Sequence, residues 1–489
     1  MRPVSTPLPL IWILIIVLIG SGAHPALAQD WLGARSQHYR LVGTADDDDL
    51  KEIGARLEGF YAAINTLFSG QQFRRPAATT VIVLKDDDDV EALGMTPEAD
   101  GYFLSGRNEN FIILSPESRR RKPFGPILHD YFHAIADENL PDLPIWIREG
   151  LAEFYSTIKF DDDLLTIGNN IDGHVRLARD DDDRLPYQEL FETGPDSDEL
   201  SELDRDRIFY AQSWALIHFL MMRNRGPGLA QTAVFVHSTA AGLPFEEAFP
   251  TAFGTTFENL REDFEDYADD RSFPFLTMKV EGIGEDFVTI DSDPFPSGLG
   301  ETYLADLLLE QGRFEEAERR LEAAIARDRT IAAPHTSLGG LRIRQERYAE
   351  ALEIMEAAIA GQGPNYLTHY NYALSFRLAN PELTGEQRTL VQEQLQEAIR
   401  LRPTFSDAHH GLAENYVDAG DNLDEAARLL DQALTLSPDQ PAYLITLSRL
   451  LIAQDALDAA RSVLGRVLEL TEDEAIRERA ESILESIAG

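Results

Sequence analysis

The feature that most constrains the fold is a repeat of about 34 residues running from near residue 300 to the C-terminus. Ala317 and Ala324 occupy one unit, and Ala351 and Ala358 stand 34 residues further on in the next. Leu338-Gly339 precedes the second pair. Ala398 with Pro403, and Ala433 with Pro438, mark two further units. Leu412-Ala413, Tyr416 and Gly420 fill the first helix and the turn of the fourth unit, and Ala460 falls in the second helix of a degenerate fifth. Small residues at a fixed spacing let two short helices approach closely, and Gly312 and Gly420 permit a tight turn between them. A unit of this size cannot bury its own apolar face, so the units must stack on one another. The third unit departs from the pattern: it carries about six extra residues around Pro381–Arg388, and Val391 replaces its first alanine. Glu474 to Ile487 reads as a capping helix.

The region before the repeats has a different organisation. A chain of 489 residues with 44% hydrophobic content suits two or three domains. Tyr39–Val42 and Thr79–Leu84 read as strands, and Tyr102–Leu104 and Phe111–Leu114 as a hairpin. Apolar spacing predicts helices near Leu50–Phe68, Ile127–Glu138, Ile147–Ser156, Phe209–Met222, Gly228–Thr239 and Phe257–Ala268. A few strands followed by many helices implies an α+β domain. Residues 271–299 contain Pro274, Pro294 and Pro296 and little helical pattern, and are expected to form a linker with one strand at Phe287–Ile290.

The N-terminus reads as a signal peptide, residues 1–28. Arg2 is followed by an apolar stretch, Leu8–Ile19, too short to span a bilayer comfortably, and Ala26-Leu27-Ala28 offers a small-x-small cleavage site. Export to a periplasmic or secreted location is therefore expected, with no stable membrane span after cleavage. The absence of cysteine suits an oxidising compartment. A formal charge of −42 makes nucleic acid and anionic membrane surfaces poor partners. Fifteen of the aspartates lie in four runs, Asp46–Asp49, Asp86–Asp89, Asp161–Asp163 and Asp180–Asp183. None has the spacing of an EF-hand loop, and solvated acidic loops are the simplest reading.

The chemistry is concentrated in His129-Asp130-Tyr131-Phe132-His133. On a helix, residues i and i+4 share a face, so both imidazoles can approach one ion. Glu149, sixteen positions after His133 and inside Trp146-Ile147-Arg148-Glu149-Gly150-Leu151-Ala152-Glu153, can add an anionic third donor from a second helix. Two neutral histidines and one glutamate leave a fourth position open, the arrangement of a catalytic zinc site. Read by themselves, the two histidines also suit a metal-free helix. Tyr210 is either an oxyanion donor or packed core, and His218 reads as a satisfied buried histidine. The surroundings of His174 and His237 are too poorly defined by the sequence for a role.

These motifs resemble the peptidase MA-like (gluzincin) superfamily, in the bacterial exported branch that carries tetratricopeptide repeats. The resemblance rests on Ile127–His133, on Leu143–Glu153, on Phe209–Leu216, and on Glu247-Ala248-Phe249 with Ala252-Phe253-Gly254. It covers roughly residues 35–270. It implies a zincin-like α+β metallopeptidase domain over residues 29–270, followed by an all-α tetratricopeptide solenoid over 300–489 that binds a protein or peptide. It implies a Zn2+ cofactor held by His129, His133 and Glu149, with Glu153 orienting His129 through its free ring nitrogen. The general base of such enzymes is a glutamate directly after the first histidine, whereas this chain has Asp130. The shorter side chain reduces reach by roughly 1.5 Å, and a displacement of ~1 Å can cost on the order of 10²-fold in rate. Two functions follow as expectations: an exported zinc metallopeptidase coupled to a binding domain, or a pseudopeptidase, zinc-bound or metal-free, that acts as a repeat scaffold.

Overall fold

The computed structural model describes residues 31–67, 79–95, 101–106, 109–116, 125–140, 143–161, 164–179, 184–193, 203–223, 227–269, 273–279, 289–290 and 295–487. The expected signal peptide lies outside them. The chain divides into two compact units that meet in sequence at Pro296 and Ser297.

The first unit is built on a mixed sheet. Its strands are β1 (Leu32–Arg35), β2 (Tyr39–Gly43), β3 (Thr79–Val83), β4 (Tyr102–Ser105), β5 (Asn110–Leu114) and, from much later in the chain, β9 (Thr289–Ile290). Their order across the sheet is β4-β5-β3-β2-β1-β9. Strands β2, β3 and β5 run parallel, and β4 pairs antiparallel with β5 as the sequence predicts. The parallel step from β2 to β3 needs a crossover, which α1 (Asp47–Leu67) supplies. Leu50, Ile53, Leu57, Phe60 and Ile64 follow helical spacing on α1, and all are fully buried in the core shared with Leu41, Val81 and Ile112.

Two of the aspartate runs have a structural purpose. Asp46 accepts a hydrogen bond from the Asp49 backbone N–H (2.9 Å) at the start of α1. Asp86 does the same for Asp89 (3.1 Å) at the start of α2 (Asp87–Ala92). In each case the following three aspartates fill the first helical turn, where negative charge complements the helix dipole. These two runs are helix caps and not solvated loops. Asp162, Asp163 and Asp180–Asp183 lie outside the described residues.

Helices α3 (Gly125–Asn139) and α4 (Ile145–Ser156) follow, then a small sheet ordered β6-β7-β8 from Lys159–Asp161, Leu164–Ile167 and Leu276–Lys279. Among the described residues the remaining helices of this unit are α5 (Asp172–Ala178), α6 (Tyr187–Glu192), α7 (Leu203–Met222), α8 (Pro227–Ala240), α9 (Phe245–Phe253) and α10 (Phe257–Asp269). The linker expected over residues 271–299 is corrected here. Leu276–Lys279 closes the small sheet against β7, and the strand expected at Phe287–Ile290 is present as Thr289–Ile290, paired with β1, so this stretch belongs to the first unit as far as Pro296. Its partners lie more than 100 and more than 250 residues earlier in the chain. Local composition carries no trace of pairing over such distances.

The second unit consists, among the described residues, of eleven helices, α11 to α21: Ser297–Glu310, Phe314–Arg327, Ala332–Arg344, Tyr348–Ala360, Tyr366–Ala379, Gly385–Leu401, Ser406–Ala419, Leu423–Leu436, Pro441–Ala453, Leu457–Leu470 and Glu474–Ser486. They form five helical hairpins and a terminal helix. Ala317, Ala324, Ala351, Ala358, Ala398, Ala433 and Ala460 are all buried between helices, and Val391 fills the corresponding space in the third hairpin. The extra residues there lengthen its second helix, which begins at a capping box between Thr384 and Gln387. Gly312 and Gly420 turn with positive φ (74° and 68°). Glu346 and Asp455 take the same left-handed backbone (59° and 61°) at the turns of the second and fifth hairpins. The turn therefore recurs even where glycine does not.

Candidate metal centre

Helix α3 buries Leu128, Tyr131, Phe132 and Ile135, which leaves the stripe of His129 and His133 half-buried on another side. The Tyr131 hydroxyl meets that of Tyr39 on β2 at 2.9 Å, and Tyr39 donates to the Leu57 carbonyl on α1 (3.2 Å). These buried hydroxyls tie the rear of α3 to the sheet, and burial raises the pKa of both phenols. Helix α4 buries Trp146, Ile147, Gly150, Leu151 and Phe154 and leaves Glu149 and Glu153, again i and i+4, on its half-buried stripe. The two helices pack together, so a pair of histidines faces a pair of glutamates.

Gly150 makes this approach possible. A Cβ atom at that position would lie 2.6 Å from the Ser213 carbonyl oxygen and 2.6 Å from Ile217 Cγ1, both on α7. Residue 150 must lack a side chain for α4 to lie against α7 with Glu149 where it is.

Three donor atoms converge. His129 Nε2 and His133 Nε2 are 3.1 Å apart, and Glu149 Oε2 lies 3.4 and 3.3 Å from them. Bonds of ~2.0–2.1 Å in tetrahedral geometry separate neighbouring ligands by roughly 3.3 Å, so the donor set fits a zinc-sized ion. Among the described residues this is the one group of three or more histidines and carboxylates close enough to hold a metal. Burial, the largest influence on Glu149, favours its neutral form. Hydrogen bonds from both histidines outweigh burial and hold its pKa down at about 2. Burial likewise disfavours the charged form of His129, but Glu149, Glu153 and Asp130 overcome it and raise its pKa.

Glu153 lies on the other side of His129, with Oε1 3.8 Å from Nδ1. That is an ion-pair distance, longer than a hydrogen bond. The same oxygen is 3.4 Å from His174 Nε2, on α5. His174 thus joins the cluster across Glu153, though it stands 21 positions away and in no recognisable motif. Arg148 is a second unforeseen neighbour. Its Nε–H donates to His133 Nδ1 (3.2 Å) while its terminal nitrogen pairs with Asp137 (2.6 Å). An imidazole that ligates through Nε2 carries its proton on Nδ1 and needs an acceptor there. Metal ligation by His133 therefore requires Arg148 to turn wholly toward Asp137.

Asp130 is exposed on the wall of a cleft of about 740 Å³, which His129 and Glu153 also line. The walls withhold water from its carboxyl and raise its pKa; His129 and His133 oppose this and Glu149 adds to it. Tyr210 is half-buried against Phe209 and does not line the cleft. His218 is fully buried, bonded to the Tyr267 hydroxyl (2.7 Å) and the Gly168 carbonyl (2.9 Å). It thereby holds the turn that leads into Asn169, Asn170 and Ile171 on the cleft wall.

Comparison with known proteins separates the two units. Family profiles described as tetratricopeptide repeat match residues 304–366 and 419–480. The C-terminal unit is a tetratricopeptide solenoid, an architecture that generally binds proteins or peptides. A family described as "Protein of unknown function (DUF1570)" matches residues 129–246, from the first histidine of the cluster onward, and assigns no activity. Similar solved structures include YrrB, described as a tetratricopeptide protein with an unusual peptide-binding site, at 19% identity over 38% of this chain and 92% of that one (TM-score 0.31). Another is a thermophilic tetratricopeptide protein from Thermus thermophilus, at 21% identity over 38% and 98% (TM-score 0.32). No curated protein matches the chain. Among the described residues no helix is long and apolar enough to cross a membrane.

Proposed function

We propose that the chain is an exported, zincin-like metallopeptidase whose tetratricopeptide unit recruits a protein partner. The observation that carries this reading is the convergence of His129 Nε2, His133 Nε2 and Glu149 Oε2 at tetrahedral ligand spacing beside an open cleft. A zinc ion held there supplies Lewis-acid polarisation of a water or carbonyl oxygen. Glu149, anionic down to about pH 2, keeps the donor set charged across the neutral range. Asp130, on the cleft wall beside His129, is the residue to take a proton from an attacking water and pass it to the leaving amine. Glu153 steadies the His129 ring from behind. Export rests on the apolar N-terminal stretch.

A second reading has its own support. Asp130 is short for its task, and Arg148 faces the ring nitrogen of His133 that a metal site needs to donate. Both favour a pseudopeptidase that works as a scaffold. Metal content of the purified mature chain, read beside hydrolysis of an unstructured protein, separates the two. The peptidase reading expects one zinc per chain, lost in His129→Ala, and slower hydrolysis in Asp130→Asn. A chain that stays metal-free after zinc reconstitution at neutral pH rejects the site. Equal rates for wild type, Asp130→Glu and Asp130→Asn reject the enzyme.

A further inference from the structure

The cleft beside the cluster has a charge pattern that the cluster does not explain. Among the described residues, the acids that line it, Asp130 and Glu153, both belong to the candidate centre. The other charged residues among those described along it are Arg56 and Lys159, both cationic. This occurs in a chain where 85 acids face 43 lysines and arginines, so a cleft lined at random would expose acid. Lys159 is exposed at the start of β6. Arg56 is half-exposed on α1, paired with Glu52 at 2.8 Å, and a surface pair of this kind exchanges readily for another carboxylate.

The position of these cations relative to the cluster suggests a geometry. Helix α4 runs from Glu149 and Glu153 to Ser156, and the chain continues through Thr157 and Ile158 into β6. Ser156, Thr157, Ile158, Lys159 and Phe160 all line the cleft. Six chain steps separate Lys159 from Glu153, so the two lie at most roughly 20 Å apart, within reach of about six residues of extended peptide at ~3.3 Å each. Among the described residues strand β6 is an edge strand, paired with β7 alone in its sheet. An extended chain can align along such an edge.

We propose that this cleft binds an extended peptide carrying an acidic side chain within about six residues of the bond presented to His129 and Asp130, and that Lys159 and Arg56 hold that side chain. The proposal rests on the peptidase reading for the direction of the peptide but not for its binding. A polyanion such as nucleic acid is a poor alternative, because its successive phosphates would meet Asp130 and Glu153 as well as the repulsion of the whole chain. A single carboxylate in a cleft lined by these two cations escapes most of that repulsion, which salt screens beyond about 8 Å.

The test uses the full mature chain and fluorescein-labelled peptides that differ at one position, Glu, Gln or Lys, with binding read by anisotropy and cleavage followed in parallel. Two partly exposed ion pairs predict a preference for Glu over Gln on the order of 2- to 30-fold. The preference should shrink at high salt, persist in Lys159→Arg, and invert toward the Lys peptide in Lys159→Glu combined with Arg56→Glu. Both side chains are exposed enough for these variants to fold, which tryptophan fluorescence checks. Equal binding of the three peptides, or an acidic preference that survives the double charge reversal, overturns the proposal; the latter would place the acidic site elsewhere. Cleavage without acidic preference overturns it and leaves the peptidase reading intact. Acid-selective binding lost in the double variant, without cleavage, supports it and rejects the peptidase reading.

Discussion

Gly150→Ala tests how the candidate centre is assembled. In an otherwise unconstrained helix this substitution stabilises by about 1 kcal/mol, since glycine is a poor helix former. Here the added Cβ would fall 2.6 Å from the Ser213 carbonyl oxygen and 2.6 Å from Ile217 Cγ1. Ordinary contact begins near 3.4 Å, so α4 and α7 must part by roughly 0.8 Å in a close-packed interior. The obstructing group at Ser213 is backbone and cannot rotate aside. Overpacking of this kind costs about 1–3 kcal/mol, and the upper end applies. After the helix-propensity gain, a net loss of about 2 kcal/mol remains. At roughly 2–4 °C per kcal/mol for a unit of this size, the melting temperature should fall by about 4–8 °C. The chain's four tryptophans, Trp12, Trp31, Trp146 and Trp214, all precede the repeats, so tryptophan fluorescence reports on the first unit alone. Because Glu149 adjoins the displaced residue, zinc affinity should also fall about 10-fold or more. Gly173→Ala is the control: a Cβ there meets nothing within 4 Å, and the variant should be neutral or slightly more stable. An unchanged or raised melting temperature in Gly150→Ala would refute the steric argument.

Three further outcomes can be measured directly. Burial lowers the pKa of His218 to about 4, so between pH 6.5 and 4 the unfolded state binds the proton and the folded state does not. Stability should be full above about pH 6.5 and decline by up to about 3 kcal/mol as pH falls toward 4; urea unfolding of His218→Gln across this range should show a shallower decline, and identical slopes count against the assignment. Glu346→Gly relieves an exposed left-handed residue and should stabilise the repeat unit by about 1 kcal/mol, read as a higher unfolding midpoint by circular dichroism. Asp86→Ala removes the cap of α2 and should cost the first unit about 1 kcal/mol, whereas Asp86→Ser should recover most of it; equal losses in both would show that the cap contributes nothing.

Much of this protein follows from local rules. A 34-residue spacing of alanines announces paired helices because helix geometry repeats every few residues, and the same geometry makes His129 with His133, and Glu149 with Glu153, neighbours on one face. Tertiary structure decided what depends on contacts between distant segments. Leu276–Lys279 reads as linker, and the strand expected at Phe287–Ile290 has no predictable partner, because the strands they pair with lie far back in the chain. The left-handed turns at Glu346 and Asp455 lie where each hairpin reverses, and the side-chain preference of glutamate alone argues against one at Glu346. The approach of His174 to Glu153, of Arg148 to His133, and of Lys159 and Arg56 to one cleft is written in no motif. Each depends on how helices and strands pack, and packing ignores separation along the chain. Gly150 joins the two levels: the sequence displays it beside Glu149, but only the nearness of the Ser213 backbone shows why a side chain is excluded there.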